Sequence, residues 1–266
     1  MLRRFADKVA VITGGASGIG LEAARLIVAE GGCVVVGDLN ADAGQAVVCE
    51  LGAERAVFRL CDVAKFADVE SLIAEAVKAF GGVDILVNNA GIGSDLCTSV
   101  DLSLESWHRV IAVDLDSVFY GCKAAIPRMR ERGGGAIVNI ASISGLGGDY
   151  GFNAYNAAKG AVVNFTRSLA LDHASDNIRV NAVCPGLIDT PLTTFMAKTG
   201  VLSSLTDNIP MKRIGRADEI AKLIAFLASD DASYLTGSIV VADGGLTAGT
   251  GNPDLGALMA KAASRR

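Results

Sequence analysis

Seven short apolar segments alternate with longer segments of helical periodicity along this chain of 266 residues. Many of the short segments are rich in Val and Ile and lack polar alternation, which is typical of strands buried on both faces of a parallel sheet. The alternation predicts an α/β fold, namely a doubly wound, mostly parallel seven-stranded sheet with helices on both faces. The predicted strands are 9–13, 33–38, 56–62, 84–90, 136–142, 178–184 and 238–243, and the predicted helices are 18–31, 40–51, 65–80, 103–132, 153–175 and 216–229.

The composition is that of a globular protein with a modest negative charge. Hydrophobic residues make up 51% and charged residues 20% of the chain, which is enough apolar material for one sizeable core. Because no linker or internal repeat is apparent, we predict one domain over 1–266, with a tail over 249–266 that contains a short helix at 255–263. Lys plus Arg number 24 and Asp plus Glu number 29, a formal charge of −5. This balance argues against a nucleic-acid binder and against a polybasic membrane anchor.

The N-terminus lacks the apolar segment of a signal peptide, and no stretch approaches the roughly 18 apolar residues of a membrane span. We therefore expect a soluble, cytoplasmic protein with reduced thiols. No cysteines have CxxC spacing, and neither His108 nor His173 belongs to a group with metal-ligand spacing, so we expect no metal site. The six predicted core thiols are Cys33, Cys49, Cys61, Cys97, Cys122 and Cys184.

A glycine-rich loop joins the first predicted strand to the first helix. Gly14, Gly18 and Gly20 stand in a G-x-x-x-G-x-G pattern directly after this strand. Glycines at such a turn let backbone N–H groups approach a pyrophosphate, and the N-terminus of the following helix supplies a positive dipole end. The spacing differs from the usual G-x-G-x-x-G dinucleotide fingerprint, and a tight strand–helix turn is the alternative interpretation.

Asp38 ends the second predicted strand, eighteen residues after Gly20. A carboxylate at this place accepts hydrogen bonds from both hydroxyls of an adenosine ribose and repels a 2′-phosphate. Neither Leu39 nor Gly15 supplies the Arg or Lys that NADP would need, so the predicted cofactor is NAD. The alternative is a polar strand end that simply starts a turn.

Tyr155 and Lys159 are four residues apart in a predicted helix, so they share one face of it. An ammonium beside a tyrosine favours the phenolate, which prepares Tyr155 to take a proton from an alcohol or to donate one to a ketone. Ser142 ends the preceding strand, at the edge where α/β sheets bind ligands, and can hold a substrate oxygen by a hydrogen bond. Taken alone, the Tyr–Lys spacing also fits an ordinary surface pair.

Together these motifs resemble those of the short-chain dehydrogenase/reductase family, in its NAD(H)-dependent subgroup of alcohol dehydrogenases and ketone reductases. The resemblance covers about residues 6 to 246 and is carried by Thr13 to Gly20, Asn88 to Gly91, Ser142, Tyr155 to Lys159 and Pro185–Gly186. It implies a single-domain Rossmann fold. It also implies an NAD-dependent oxidoreductase that interconverts a secondary alcohol, or a cyclic diol, and a ketone by hydride transfer at a Ser-Tyr-Lys site.

The resemblance further implies roles for individual residues. Tyr155 is the expected catalytic acid or base, Lys159 the residue that binds the nicotinamide ribose, and Ser142 the hydroxyl that polarises the substrate oxygen. The expected cofactor-binding residues are Gly14, Ser17, Gly18, Ile19, Gly20, Asp38, Leu39, Asp62, Val63, Asn89, Ala90, Gly91, Tyr155, Lys159, Pro185, Gly186, Ile188 and Thr190.

Asp114 departs from the family pattern. It occupies the place, in the helix after the fourth strand, where the family usually has an Asn that holds a water of the proton relay. An Asp keeps an acceptor but loses the amide donor. We expect Asp114 to be buried near Lys159, as an ion partner or a protonated acid, and include it among the catalytic residues.

The resemblance bounds the substrate pocket by segment 92–97, the segment between Ser142 and Tyr155, and a lid over 187–210. Apolar residues dominate the lid, so the expected substrate is a hydrophobic secondary alcohol or ketone. The expected contacts are Ser142, Ser144, Leu146, Phe152, Tyr155, Leu187, Leu192, Phe195 and Met196. A polyol is the alternative, through Asp95, Asp149 and Asn153.

The family resemblance also implies a homotetramer, or a homodimer, assembled through helices 103–132 and 153–175 and the last strand. Two other functions stay open at this point. A reductase of 3-oxoacyl thioesters would favour NADP and a basic docking surface, and Asp38 speaks against it. A non-catalytic NAD-binding sensor or scaffold is disfavoured because the Ser-Tyr-Lys set is intact.

Overall fold

A seven-stranded parallel sheet forms the centre of the computed structural model, which describes residues 3–194, 199–252 and 255–264. The strands are β1 (Val9–Thr13), β2 (Cys33–Asp38), β3 (Ala56–Leu60), β4 (Ile85–Asn88), β5 (Gly135–Ile140), β6 (Ile178–Pro185), β7 (Ile188–Asp189), β8 (Gly215–Arg216) and β9 (Ile239–Ala242). The order across the large sheet is β3-β2-β1-β4-β5-β6-β9, and β7 and β8 pair separately. The predicted doubly wound α/β fold is therefore confirmed.

Helices cover both faces of this sheet. They are α1 (Gly18–Ala29), α2 (Ala41–Leu51), α3 (Phe66–Phe80), α4 (Leu104–Ile111), α5 (Ser117–Glu131), α6 (Asn153–His173), α7 (Leu202–Asn208), α8 (Ala217–Ala228) and α9 (Leu255–Ala263). On β1, Val9 and Val11 pack in the core formed with α3, α5 and α6. Ala10 and Ile12 pack in the core formed with α1, α2 and α8. Side chains alternate between the two faces of a strand, so an unbroken apolar run serves both cores.

The structure differs from the sequence-based prediction mainly in the segment 103–132. This segment is helical from Leu104 to Glu131, but a π-helical turn over Ala112–Asp116 interrupts the α-helical hydrogen bonding between α4 and α5. Such a turn inserts a residue into the helical repeat, and the 3.6-residue periodicity of the sequence does not reveal it. The pair β7–β8 and helix α7 were not predicted, whereas each strand of the large sheet begins and ends within two residues of its predicted bounds.

The prediction of six core thiols is wrong for half of the cysteines. All six are free, but only Cys61, Cys122 and Cys184 are buried. Cys49 is exposed because it lies on the solvent side of α2, two residues beyond the buried Val47. Within the described ranges, no helix combines the length and the apolar character needed to cross a membrane.

The strand order reverses at β1, which has β2 on one side and β4 on the other. The chain segments that leave these strands at their carboxyl ends go in opposite directions, which opens a crevice at that edge of the sheet. The glycine loop follows β1, and the Asn88 to Gly91 segment follows β4. The fold therefore brings the predicted motifs to one crevice.

Candidate active site

The glycine loop lies directly against the end of β4. Gly14 has a φ of +62°, and a Cβ on it would lie 2.9 Å from Ala90 Cα. The side-chain Nδ2 of Asn89 donates to the carbonyl oxygens of Thr13 at 3.0 Å and of Gly14 at 2.9 Å. Ser17 makes no side-chain capping bond to α1, whose first turn carries no acid. The N-terminus of α1 therefore faces the crevice with its dipole uncompensated, as an anion-binding helix end does.

Asp38 lies at the rim of the same crevice, at the end of β2. Its Oδ2 accepts the N–H of Ala16 at 3.1 Å, and its Oδ1 accepts the N–H of Asn40 at 3.0 Å. Two backbone donors therefore hold the carboxylate in one orientation, because together they restrict its rotation. Leu39, the next residue, is 68% exposed and lines the same wall.

One cavity of about 410 Å³ fills the crevice. Seventeen of the predicted cofactor-binding residues line it: Gly14, Ser17, Gly18, Ile19, Asp38, Leu39, Asp62, Val63, Asn89, Ala90, Gly91, Tyr155, Lys159, Pro185, Gly186, Ile188 and Thr190. Gly20 does not line it, and a Cβ there would collide with the carbonyl oxygen of Gly14, so its role is to let α1 pack on the loop.

Eight further lining residues were not among the predicted cofactor contacts, and most of them are apolar. They are Cys61, Ile92, Val113, Ile140, Ala141, Pro191, Leu192 and Thr193. Several directly follow or precede a motif residue, so extension of each motif by one position would have found them. Val113 directly precedes Asp114, and Leu192 was expected as a substrate contact rather than a cofactor contact.

Ser142, Tyr155 and Lys159 converge at the inner end of this cavity. Tyr155 is in the first turn of α6, and the Nζ of Lys159, one turn later, lies 5.6 Å from the centroid of its ring. Ser142 follows β5 and is 8% exposed; its Oγ accepts the N–H of Ser144 at 3.1 Å. Ser142 and Tyr155 also line a second cavity of about 320 Å³, so they lie where the two cavities meet.

Lys159 is buried, with two oxygen partners for its ammonium. Its Nζ donates to the carbonyl oxygen of Ile140 at 3.1 Å and lies 3.4 Å from Oδ2 of Asp114. Burial is the largest single effect and favours the neutral amine, but the charge of Asp114, the Tyr155 oxygen and the hydrogen bond to Asp114 together outweigh it and raise the pKa of Lys159 above its usual value. Lys159 therefore keeps its positive charge beside Tyr155.

Asp114 lies in the π-helical turn and is fully buried. Its Oδ1 accepts the N–H of Ile92 at 2.8 Å. Burial raises the pKa of the Asp114 carboxyl, and the charge of Lys159 opposes that shift. Asp114 lines neither cavity. We therefore propose that Asp114 acts through Lys159 and the Ile92 backbone, as a positioning residue, and not by direct contact with a substrate.

Replacement of Asp114 by Asn is expected to keep kcat/KM for alcohol oxidation within about tenfold of the wild-type value. The amide oxygen still accepts the Ile92 N–H, and Lys159 still has the Ile140 carbonyl. Steady-state kinetics measure this, with Asp116→Asn as a control in the same π-helical turn. A complete loss of turnover in a folded Asp114→Asn protein would contradict the positioning role.

The second cavity holds most of the predicted substrate contacts. Ser142, Ser144, Phe152, Tyr155, Leu187 and Leu192 line it. Leu146 does not, because its side chain is 44% exposed on the outside of the loop. Phe195 and Met196 lie outside the described residues. The lining residues that the sequence analysis did not place among the contacts are Gly93, Ile143, Asp149, Gly186, Thr193, Leu205, Asn208, Ile209 and Leu246.

Among the residues of the polyol alternative, only Asp149 lines this cavity. The side-chain Nδ2 of Asn153 donates to the carbonyl oxygen of Cys97 at 3.0 Å instead, and Asp95 lies outside both cavities. The described part of the chain contains no group of three or more His, Cys, Asp or Glu side chains that could hold a metal ion.

Comparison with known proteins gives relatives over nearly the whole chain. A family model described as enoyl-(acyl carrier protein) reductase matches residues 14–247. A meso-2,3-butanediol dehydrogenase of Serratia marcescens is 43% identical over 95% of this chain and 99% of its own. A cyclohexanol dehydrogenase of an Acinetobacter species is 41% identical over 93% of this chain and 98% of its own. A cis-4-hydroxycyclohexanecarboxylate dehydrogenase of Sinomonas cyclohexanicum is 43% identical over 92% of this chain and 98% of its own.

Proposed function

This chain belongs to the short-chain dehydrogenase/reductase family and is an oxidoreductase, and we propose that it interconverts a secondary alcohol or diol and its ketone with NAD. The observation that carries this proposal is the arrangement of the two cavities. The larger one joins the glycine loop and Asp38 to Tyr155 and Lys159, and the smaller, mostly apolar one shares Ser142 and Tyr155 with it.

The larger cavity fits a dinucleotide by its backbone and its charge. A Cβ at Gly14 would fill the space between the loop and β4, and the open N-terminus of α1 suits a pyrophosphate. Asp62 and Val63 line the part after β3 and are the proposed adenine contacts. The nicotinamide cofactor of the family supplies the hydride acceptor for an alcohol, or the hydride for a ketone.

Within this framework, the residues of the chain handle the proton and the substrate oxygen. Tyr155 as phenolate takes the hydroxyl proton of an alcohol, or as phenol donates it to a ketone oxygen. The Lys159 ammonium lies 5.6 Å from the centroid of its ring, which places a positive charge beside the group that exchanges the proton. The Ser142 hydroxyl donates a hydrogen bond to the oxygen as charge develops on it. The walls of the second cavity around this point are largely apolar.

Asp38 is the residue that we propose selects NAD over NADP. Asp38→Asn is expected to raise KM for NAD about tenfold or more, because a charge-assisted acceptor for the ribose hydroxyls is lost. The same change is expected to improve the use of NADP, because the repulsion of its 2′-phosphate falls. KM for both cofactors is the measurement. Asp42→Asn, an exposed acid in the first turn of α2, is the control and should change neither value.

The experiment that tests the function follows nicotinamide absorbance with a panel of substrates, at saturating NAD or NADP for the alcohols and at saturating NADH or NADPH for the thioester. The panel contains cyclohexanol, meso-2,3-butanediol, cyclic dihydrodiols, a hydroxysteroid and a 3-oxoacyl thioester. Turnover of alcohols with NAD supports the proposal. Turnover of the thioester alone, with NADPH, would support a 3-oxoacyl thioester reductase instead. Tight NAD binding without any turnover would support a sensor or scaffold.

We also propose that the protein assembles as a homotetramer, or a homodimer. Phe119 on α5 is 47% exposed, Leu171 on α6 is 82% exposed, and Val241 on the edge strand β9 is 40% exposed. Exposed apolar side chains on adjoining elements are typical of subunit contacts. Sedimentation velocity measures the oligomeric state directly.

A further inference from the structure

Asp149 carries the only carboxylate among the described residues that line the second cavity, and, unlike the side chains of Thr193 and Asn208, this group is not already bonded. Thr193 Oγ1 donates to the carbonyl oxygen of Ile188 at 2.6 Å, and Asn208 Nδ2 donates to that of Ser204 at 3.3 Å. The carboxylate of Asp149 has no hydrogen bond or ion pair with any described residue, and it lines the cavity. It is therefore available to a ligand.

The backbone of Asp149 is anchored beside the catalytic helix. Its carbonyl oxygen accepts the N–H of Phe152 at 3.4 Å and the side-chain Nδ2 of Asn156 at 3.1 Å. Phe152 in turn packs edge-on against Tyr155, with ring centroids 6.4 Å apart. These contacts tie the loop that carries Asp149 to the first turn of α6, where the proton is transferred.

No cation balances Asp149 in this cavity. None of the described residues that line it is a Lys, Arg or His. Lys159 lines only the larger cavity, where it is paired with Asp114. The other walls are largely apolar, with Phe152, Leu192 and Ile209 among them. A bound substrate therefore meets one uncompensated negative charge in mostly apolar surroundings.

We propose that Asp149 determines which alcohols this site accepts: its carboxylate accepts a hydrogen bond from the second hydroxyl of a diol and repels a substrate that carries an anionic group. This inference rests on the proposed function, because it concerns the substrate of the same site. The expected substrates are therefore diols and neutral alcohols, and hydroxy acids are disfavoured.

The test compares three substrates at saturating NAD: cyclohexanol, meso-2,3-butanediol and cis-4-hydroxycyclohexanecarboxylate. For Asp149→Asn, the ratio of kcat/KM for the carboxylate to that for cyclohexanol is expected to rise about three- to tenfold, because an exposed charge acts through partly screening solvent. The ratio for the diol is expected to fall by a similar, about three- to tenfold factor, since a charged acceptor becomes a neutral one. Added salt should weaken the effect on the carboxylate.

Asp207→Asn is the matched control. Asp207 is an exposed acid on α7, whose Leu205 and Asn208 line the cavity, but its own side chain does not. Its removal changes the net charge by the same amount near the same site and should leave both ratios unchanged. If Asp149→Asn leaves both ratios unchanged, or shifts them no more than the control does, the inference is wrong.

A binding measurement separates this inference from the proposed function. Cyclohexanecarboxylate and cyclohexanone are titrated against the enzyme with NAD, with which neither compound can react, and binding is read by thermal shift. Tighter binding of the carboxylate to Asp149→Asn than to wild type is expected, and equal binding would overturn the charge effect. If the wild type turned over none of the three alcohols, the proposed function would fail, and this comparison would still decide whether Asp149 repels anions.

Discussion

Tyr155→Phe is expected to lower kcat/KM for alcohol oxidation by about 10²- to 10⁴-fold, the range of general acid–base catalysis. The variant loses the hydroxyl that exchanges the proton, but it keeps the ring that contacts Phe152 and Lys159. The fold and the cofactor site should therefore be unchanged. Turnover is measured by nicotinamide absorbance, and cofactor binding by quenching of protein fluorescence.

Tyr234→Phe is the control for the loss of a tyrosine hydroxyl. Tyr234 is fully exposed and lies outside both cavities, so its replacement should leave kcat/KM at the wild-type value. A Tyr155→Phe protein that keeps a large part of its activity would remove Tyr155 from the chemistry. Loss of NAD binding together with turnover would mean instead that the tyrosine shapes the cofactor site.

Much of the larger cavity was predictable because each of its parts has a local signature. The glycine loop follows a strand, Asp38 ends one, and Tyr155 and Lys159 are one helical turn apart. Parallel strands bring their carboxyl ends to the same edge of the sheet, so a list of strand ends already approximates a list of site residues. The topology, rather than any detail of packing, assembles this part.

The rest depends on contacts that no local pattern encodes. Leu205 and Ile209 lie in the predicted lid, but no motif distinguishes them from its other residues, and Leu246 lies beyond the last strand of the large sheet. Leu146 was misplaced because the sequence of an irregular loop does not specify which way a side chain points. Asp114 was correctly expected near Lys159, but its separation from both cavities follows from a π-helical turn that helical periodicity does not show.

Lys159→Met is expected to lower the free energy of unfolding by about 3 to 5 kcal/mol, in addition to its effect on activity. The side chains of Lys159 and Asp114 are only 4% and 0% exposed. Without the ammonium, the Asp114 carboxylate is left buried with only the Ile92 N–H as a partner, and it must either stay charged without a countercharge or take up a proton. Urea unfolding of the protein at neutral pH, followed by circular dichroism, measures the loss.

A double-mutant cycle separates the interaction between Lys159 and Asp114 from the general effects of the substitution. Asp114→Asn in the Lys159→Met background removes the buried carboxylate that has lost its countercharge. The double variant should therefore regain about 1 to 3 kcal/mol of the free energy of unfolding. Lys222→Met is the surface control: Lys222 is 2.7 Å from Asp218, but both are solvent-accessible, and about 1 kcal/mol or less is expected. A Lys159→Met variant as stable as this control would show that Asp114 is not held as a buried anion. The double variant should stay impaired in turnover, because restored stability does not replace the ammonium beside Tyr155.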